Sequence, residues 1–178
     1  MRQLILIAGI MLYTLLGATQ SSAETTFQGY SQAYQPAQEK FDPPAVSFID
    51  ADEQSHLLSD YPGQVLLINF WASWCRTCLH EMASLQRLQQ LAGDNVKVLT
   101  LNQDLSDSGE IKQLLAKIGA EELPAHRDLN SQLGFALGQT LLPTTLFIDS
   151  NGRVAGQLIG PAEWDSPEAL ALIESLRL

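Results

Sequence analysis

The sequence predicts an α/β domain with a central mixed sheet flanked by helices. Runs rich in strand-forming residues occupy 65–72, 96–102 and 144–149. The first is a continuous apolar run without alternation, which is typical of a central strand covered on both faces, and the second predicts another buried strand. The segments between them carry apolar residues at helical spacing. An order of strand, helix, strand, then helix, hairpin and helix combines parallel with antiparallel pairing.

Each element is justified by its local pattern. The apolar residues from Leu79 to Leu91 recur at helical spacing, and Gly93 ends that helix. The turn residues 150–152 join the last two strands as a hairpin. Residues 52–63 predict a helical turn. We expect strands over 45–50, 65–72, 96–102, 123–128, 144–149 and 153–160, and helices over 77–91, 108–119, 130–137 and 166–177.

The first 23 residues have the pattern of a secretory signal. Arg2 precedes an apolar run from Leu4 to Ala18, and small residues at Ser21 and Ala23 predict cleavage after Ala23. The run is shorter than the roughly 20 residues of a membrane-spanning helix. An uncleaved membrane anchor is the alternative, and either way the folded part is exported to the periplasm.

The exported part divides into an arm and one domain. Residues 24–40 are polar, which predicts a flexible arm, and residues 41–178 are long enough to bury one core. The formal net charge is −10 for the whole chain. Without residues 1–23, which contain one basic residue (Arg2) and no acidic one, it becomes −11. This charge argues against nucleic-acid partners.

Both cysteines of the chain lie in the segment WASWCRTC, as Cys75 and Cys78. A disulfide closing so short a loop stabilises a fold little, so a chemical role is the better explanation. Cys75 lies where a strand gives way to a helix, and the free N–H groups and the helix dipole there favour a thiolate. Arg76 adds a positive charge. Cys78, one turn later, points the same way, as thiol–disulfide exchange requires.

Three segments together resemble the thioredoxin superfamily, and more narrowly its exported TlpA-like branch. They are FWASWCRTC at 70–78, LLPTTLFID at 141–149 and NGRVAGQLIGPAEW at 151–164. The resemblance covers residues 41–178. It implies a thioredoxin-like fold with an N-terminal extra strand, and a thiol-disulfide oxidoreductase that needs no cofactor.

The resemblance also implies roles for single residues. Cys75 corresponds to the nucleophile and Cys78 to the resolving cysteine. Pro143 corresponds to the family's cis-proline, for which an ordinary trans proline is the alternative. Leu142 contacts the substrate cysteine, and Trp74 shields the site.

Glu81 corresponds to a glutamate that manages protons for the buried cysteine in TlpA-like relatives. A half-buried carboxyl near a thiol has a raised pKa that suits a general base; a solvated helix residue is the alternative. In thioredoxin the proton-managing acid lies on the preceding strand, where this chain has Asn69. Most relatives have proline where this chain has Thr77, whose N–H and hydroxyl can hydrogen-bond the thiolate and tune the couple together with Arg76.

The function most favoured is a periplasmic dithiol reductase for exported proteins, in maturation of cytochrome c or of oxidase copper sites. Its electrons come from a membrane thiol donor, and we expect a monomer without metal. A disulfide oxidase or isomerase is the first alternative, although residues 103–140 are too few for the usual helical insertion. A copper-binding metallochaperone is the second; it would need help from His56, His80 or His126, and the CxxC spacing differs from the CxxxC of such carriers.

Overall fold

The computed structural model describes residues 26–105 and 107–177, and the predicted signal at 1–23 lies outside them. The described chain forms one sheet, ordered β1-β8-β7-β4-β5-β6-β2-β3 once the strands are numbered along the chain. The strands are Gln35–Phe41 (β1), Phe48–Ile49 (β2), Ser55–His56 (β3), Val65–Trp71 (β4), Val96–Asn102 (β5), His126–Arg127 (β6), Thr144–Ile148 (β7) and Val154–Ile159 (β8). The α-helices are Arg76–Ala92 (α1), Ser108–Lys117 (α2), Gln132–Ala136 (α3) and Pro167–Ser175 (α4).

Strand β4 is the centre of the sheet. It runs parallel to β5 and antiparallel to β7, as the mixed pairing of the predicted sheet requires. All seven of its residues are buried. This explains the continuous apolar run, because a strand covered on both faces has no solvent side on which to place polar residues.

The two faces of β4 belong to two separate cores. Leu67 and Trp71 pack with buried side chains of α1, α2 and α4, and both cysteines lie in this first core. Leu66, Ile68 and Phe70 pack on the other face, together with Leu133 of α3. Since side chains alternate along a strand, Asn69 points to the same face as Leu67 and Trp71, towards α1.

The N-terminal arm differs from its expectation. Residues 35–41 form strand β1, which pairs antiparallel with β8, so residues 35–40 of the expected flexible arm belong to the sheet. Phe27 is buried against Trp164, with ring centroids 5.4 Å apart. The Tyr34 hydroxyl donates to the Ala155 carbonyl at 2.9 Å. The contacts of Phe27 and Tyr34 with the rest of the fold thus hold the segment in place despite its polar composition.

Two smaller expectations also change. The turn predicted over 52–63 contains the short strand β3 and a 3₁₀ helix, Leu58–Asp60. The helix predicted over 130–137 divides into a 3₁₀ turn, Leu129–Ser131, and α3, because Asn130 and Ser131 at the end of that turn adopt left-handed backbone angles. No helix in the described ranges is long and apolar enough to cross a membrane.

Candidate active site

The two cysteines lie where β4 passes into α1. Cys75 is the N-cap residue of α1, and its Sγ accepts a hydrogen bond from the Cys78 backbone N–H at 3.3 Å. The two sulfurs form a disulfide with an S–S distance of 2.08 Å. Cys75 is 6% exposed and Cys78 is fully buried. Cys75 is therefore the more accessible of the two cysteines, and both lie at the positive end of a helix.

A carboxylate holds the loop that leads to Cys75. Asp104 accepts hydrogen bonds from the Ser73 backbone N–H at 2.9 Å and from the Ser73 hydroxyl at 2.5 Å. The Asn102 side chain donates to the same carboxylate at 2.9 Å. The loop is thus tied to the end of β5, while Trp74, between Ser73 and Cys75, remains 73% exposed.

The other predicted residues lie around the disulfide. Thr77 Oγ1 lies 3.5 Å from Cys75 Sγ, and Arg76 is exposed on the first turn of α1. The Leu142–Pro143 peptide bond is cis. Since Phe70 is paired with Thr144, Pro143 follows in register beside Trp71. Leu142 packs against the core cluster that contains both cysteines.

Glu81 is buried on α1, one turn beyond Cys78, with only 2% of its surface exposed. Residues three apart on a helix are neighbours on one face, so Glu81 and Cys78 share the side of α1 that covers the sheet. The Asn69 amide donates to Glu81 Oε1 at 2.9 Å. Oε2 accepts from the Trp164 indole N–H at 2.7 Å and from the Ala162 backbone N–H at 3.0 Å. Glu81 is therefore not the solvated helix residue that the sequence left open.

Burial raises the pKa of Glu81 from 4.5 to about 7. The hydrogen bonds from Trp164, Asn69 and Ala162 act in the opposite direction, because they stabilise the ionised form. A carboxyl with this pKa can both accept and release a proton near neutral pH. The arrangement thus provides a proton acceptor next to the buried member of the disulfide.

Trp164 is the residue of this site that the sequence did not assign. It belongs to the segment GPAEW, residues 160–164. The sequence placed this segment after the hairpin but did not indicate what it does. The backbone of this segment turns back over α1. There the Trp164 backbone N–H donates to Ser84 Oγ, and Arg87 forms salt bridges with Glu163 and Asp165. Glu81 also lines a cleft of roughly 150 Å³ at the surface, together with Tyr30, Thr77, His80, Pro161, Ala162 and Glu163.

The three histidines do not gather around the cysteines. His56 stacks on the ring of Phe48, and His126 meets the same ring in an edge-on arrangement, near the β3 edge of the sheet. Burial lowers the pKa of His126 to about 4, so its imidazole is neutral. His80 lies exposed at the mouth of the Glu81 cleft. In residues 26–105 and 107–177, no group of three or more His, Cys, Asp and Glu side chains is arranged to hold a metal ion.

The mixed sheet and the CxxC pair at the start of α1 define a thiol-disulfide oxidoreductase of the thioredoxin superfamily, close to its TlpA-like branch. The family model described as Redoxin matches residues 36–173, and the chain belongs to this family.

Among curated relatives, the thioredoxin-like protein YneN of Bacillus subtilis (strain 168) is 29% identical over 86% of this chain and 89% of its own length. The thiol-disulfide oxidoreductase ResA of Geobacillus thermodenitrificans (strain NG80-2) is 32% identical over 62% of this chain and 63% of its own length. The thiol:disulfide interchange protein DsbE of Vibrio cholerae is 38% identical over 57% of this chain. That match spans 53% of the length of DsbE.

Solved structures agree on the fold. A putative thiol:disulfide interchange protein DsbE from Chlorobium tepidum superposes with a TM-score of 0.61 at 27% identity, over 79% of this chain and 96% of that one. The structure of MTB dsbF superposes with a TM-score of 0.63 at 20% identity, over 75% of this chain and 98% of that one. The thioredoxin-like fold expected from the sequence is confirmed, and the chain is a thiol-disulfide oxidoreductase of the ResA and DsbE type.

Proposed function

We propose that the protein is a periplasmic dithiol reductase that reduces disulfides in other exported proteins, in the maturation of cytochrome c or of oxidase copper sites. The observation that carries the proposal is a slightly exposed cysteine at a helix N-terminus, followed on the same helix by a fully buried cysteine and a buried carboxyl whose pKa is about 7. Relatives named ResA, DsbE and HelX, all thiol-disulfide oxidoreductases or interchange proteins, support the same class of reaction.

The reaction has two exchange steps. In the reduced protein, the Cys75 thiolate attacks one sulfur of the substrate disulfide, and the other substrate sulfur leaves as a thiolate and takes a proton. Cys78 then gives its proton to Glu81 and attacks Cys75 Sγ. The second substrate sulfur leaves as a thiolate; both substrate thiolates take their protons from water, and Glu81 returns the Cys78 proton to water. The substrate thus gains two electrons and two protons while Cys75 and Cys78 become a disulfide.

The surroundings of the cysteines suit these steps. Trp74 and Leu142 offer apolar surface beside Cys75. Pro143 has no backbone N–H, and its carbonyl accepts from the Gly160 N–H at 2.8 Å, so an extended peptide would pair with the backbone of Leu142, just before the cis bond. Arg76 and Thr77 stabilise the Cys75 thiolate. We further propose that a membrane thiol protein returns the electrons and that the protein acts as a monomer.

The two cysteine roles are tested by separate serine variants. Cys75→Ser abolishes exchange with a disulfide-containing CxxCH peptide, because no nucleophile remains at the surface. Cys78→Ser accumulates a mixed disulfide between Cys75 and the peptide, visible by mass spectrometry, because nothing resolves it. Full activity of Cys75→Ser would show that the assignment of the nucleophile is wrong.

The direction of the reaction is tested by the reduction potential, measured against a glutathione series with tryptophan fluorescence as the readout. A reductase needs a value well below about −200 mV, whereas a value near about −120 mV belongs to strong disulfide oxidants. The second result would retain the exchange chemistry and overturn the reductase assignment in favour of an oxidase.

A further inference from the structure

Asn69 occupies the centre of β4 with an unusual set of partners. Its side chain is fully buried, and its Nδ2 donates to Glu81 Oε1 and to Thr145 Oγ1, each at 2.9 Å. Its carbonyl oxygen Oδ1 is also buried and has no hydrogen-bond partner. Buried acceptors without a partner are rare in folded proteins, and each one calls for a physical reason.

The reason lies in the charge of Glu81. An ionised carboxylate only accepts hydrogen bonds, so the amide must turn its N–H group towards Glu81. Thr145 does not decide the orientation, because a hydroxyl can accept from an N–H or donate to a carbonyl oxygen. The unpartnered Oδ1 is therefore the consequence of an amide that faces an ionised Glu81.

The position of a proton on Glu81 follows from its other partners. Oε2 already accepts from the Trp164 indole N–H and the Ala162 backbone N–H, and neither group can accept a hydrogen bond in return. A proton added to Glu81 is thus directed to Oε1, the oxygen that faces Asn69. There the new O–H of Glu81 and the amide N–H of Asn69 are two donors that face each other, unless the amide rotates so that its carbonyl oxygen faces Glu81.

We propose that Asn69 is the positioning residue of the proton transfer between Cys78 and Glu81: its N–H group holds the carboxylate, and after a half-turn of the amide its carbonyl oxygen holds the carboxylic acid. The inference rests on the proposed function, in which Glu81 takes the Cys78 proton. When Cys78 loses that proton, the proton is added to Oε1, and the half-turn brings Oδ1 into contact with the new O–H. When the proton later leaves for solvent, the amide returns.

Other charged and titrating groups around Glu81 are few. Cys78 precedes it on α1, and His80 lies at the cleft mouth on the same helix. Glu163 comes from the segment after β8, and Tyr30 comes from the N-terminal arm. Strand β7 contributes Thr145, which does not titrate in this range. In the oxidised protein the cysteines do not titrate, which removes them from the response of Asn69.

The direct test uses the oxidised wild-type protein and nuclear magnetic resonance between pH 5 and 9. The Glu81 carboxyl carbon should titrate near pH 7. The Asn69 side-chain N–H₂ signals should shift with the same midpoint and lose their nuclear Overhauser effects to Thr145 and Glu81 at low pH. Asn69 signals that stay constant while Glu81 titrates would overturn the proposal.

A pair of variants provides the second test. Asn69→Leu removes the bond to both forms of Glu81. Because a charge-assisted hydrogen bond is roughly twice as strong as a neutral one, the ionised form loses more. The pKa of Glu81 should therefore rise by about one unit, a tenfold change in its proton affinity. Thr100→Val is the matched control: Thr100 is the β5 partner of Asn69, and its hydroxyl donates to the Pro124 carbonyl instead.

The control should leave the Glu81 midpoint unchanged. A midpoint that is unchanged or lowered in Asn69→Leu would contradict the proposal. Failure here is distinguishable from failure of the proposed function, because the titrations use the oxidised protein and need no substrate. If the Cys78→Ser trap fails while Asn69 follows Glu81, the function is wrong and the coupling between the two side chains stands.

Discussion

Replacing Glu81 with glutamine should change how the stability of the protein depends on pH. The side chain keeps its size and loses its charge. In the folded wild type the pKa of Glu81 is raised from 4.5 to about 7, and burial is the cause of this rise. The folded protein therefore binds this proton more tightly than the unfolded chain does. The resulting stability is fully present below about pH 4.5 and is lost as the pH rises through 7.

The size of the effect follows from the shift. A rise of about 2.5 units, at about 1.4 kcal/mol per unit, amounts to about 3 kcal/mol. The free energy of unfolding of the oxidised wild type should thus fall by about 3 kcal/mol relative to Glu81→Gln between pH 4.5 and pH 8. The difference between the two proteins removes the contributions of all other titrating groups.

The measurement is urea denaturation of both oxidised proteins, followed by tryptophan fluorescence at several pH values. Ser84→Ala is the control, since Ser84 is a buried polar residue on the same face of α1 that does not titrate. Its loss of stability should be the same at every pH. A constant difference between Glu81→Gln and the wild type across this range would refute the raised pKa and the proton role built on it.

Two further variants test the loop and the first turn of α1. Thr77→Val removes the hydroxyl 3.5 Å from Cys75 Sγ. Because the Cys75 thiolate loses about 1 kcal/mol of stabilisation, the reduction potential measured in glutathione buffers should fall by about 20 mV. An unchanged potential would show that this contact does not tune the couple. Asp104→Ala leaves both Ser73 donors without their acceptor, so its free energy of unfolding in urea should fall by about 1–2 kcal/mol, more than in Ser73→Ala. Equal losses in those two variants would show that the backbone bond contributes nothing.

The central part of the site could be predicted from local sequence. A continuous apolar run followed by a helical pattern determines where β4 ends and α1 begins, and this places Cys75 at the N-cap. The i, i+3 spacing places Glu81 beside Cys78 on α1. These inferences hold because strand and helix geometry relate residues that are close in sequence.

Contacts between distant segments could not be predicted in the same way. Nothing in the GPAEW pattern indicates that the Trp164 indole reaches a carboxyl 83 residues earlier. The burial of Glu81 was left open for the same reason, because a charged helix residue is usually solvated. For the N-terminal arm, the prediction of flexibility followed the polar composition and gave no weight to Phe27 and Tyr34. Their contacts depend on surfaces that the rest of the fold provides.

The three donors to Glu81 lie at very different distances from it along the chain. Asn69 lies 12 residues before it, whereas Ala162 and Trp164 follow by 81 and 83 residues. A chain whose segment after β8 has not yet folded already has both cysteines, but its Glu81 lacks the Ala162 and Trp164 donors. The surroundings of Glu81 are therefore completed only when the C-terminal segment has closed over α1, whereas the helix N-terminus at Cys75 needs no contact from that segment.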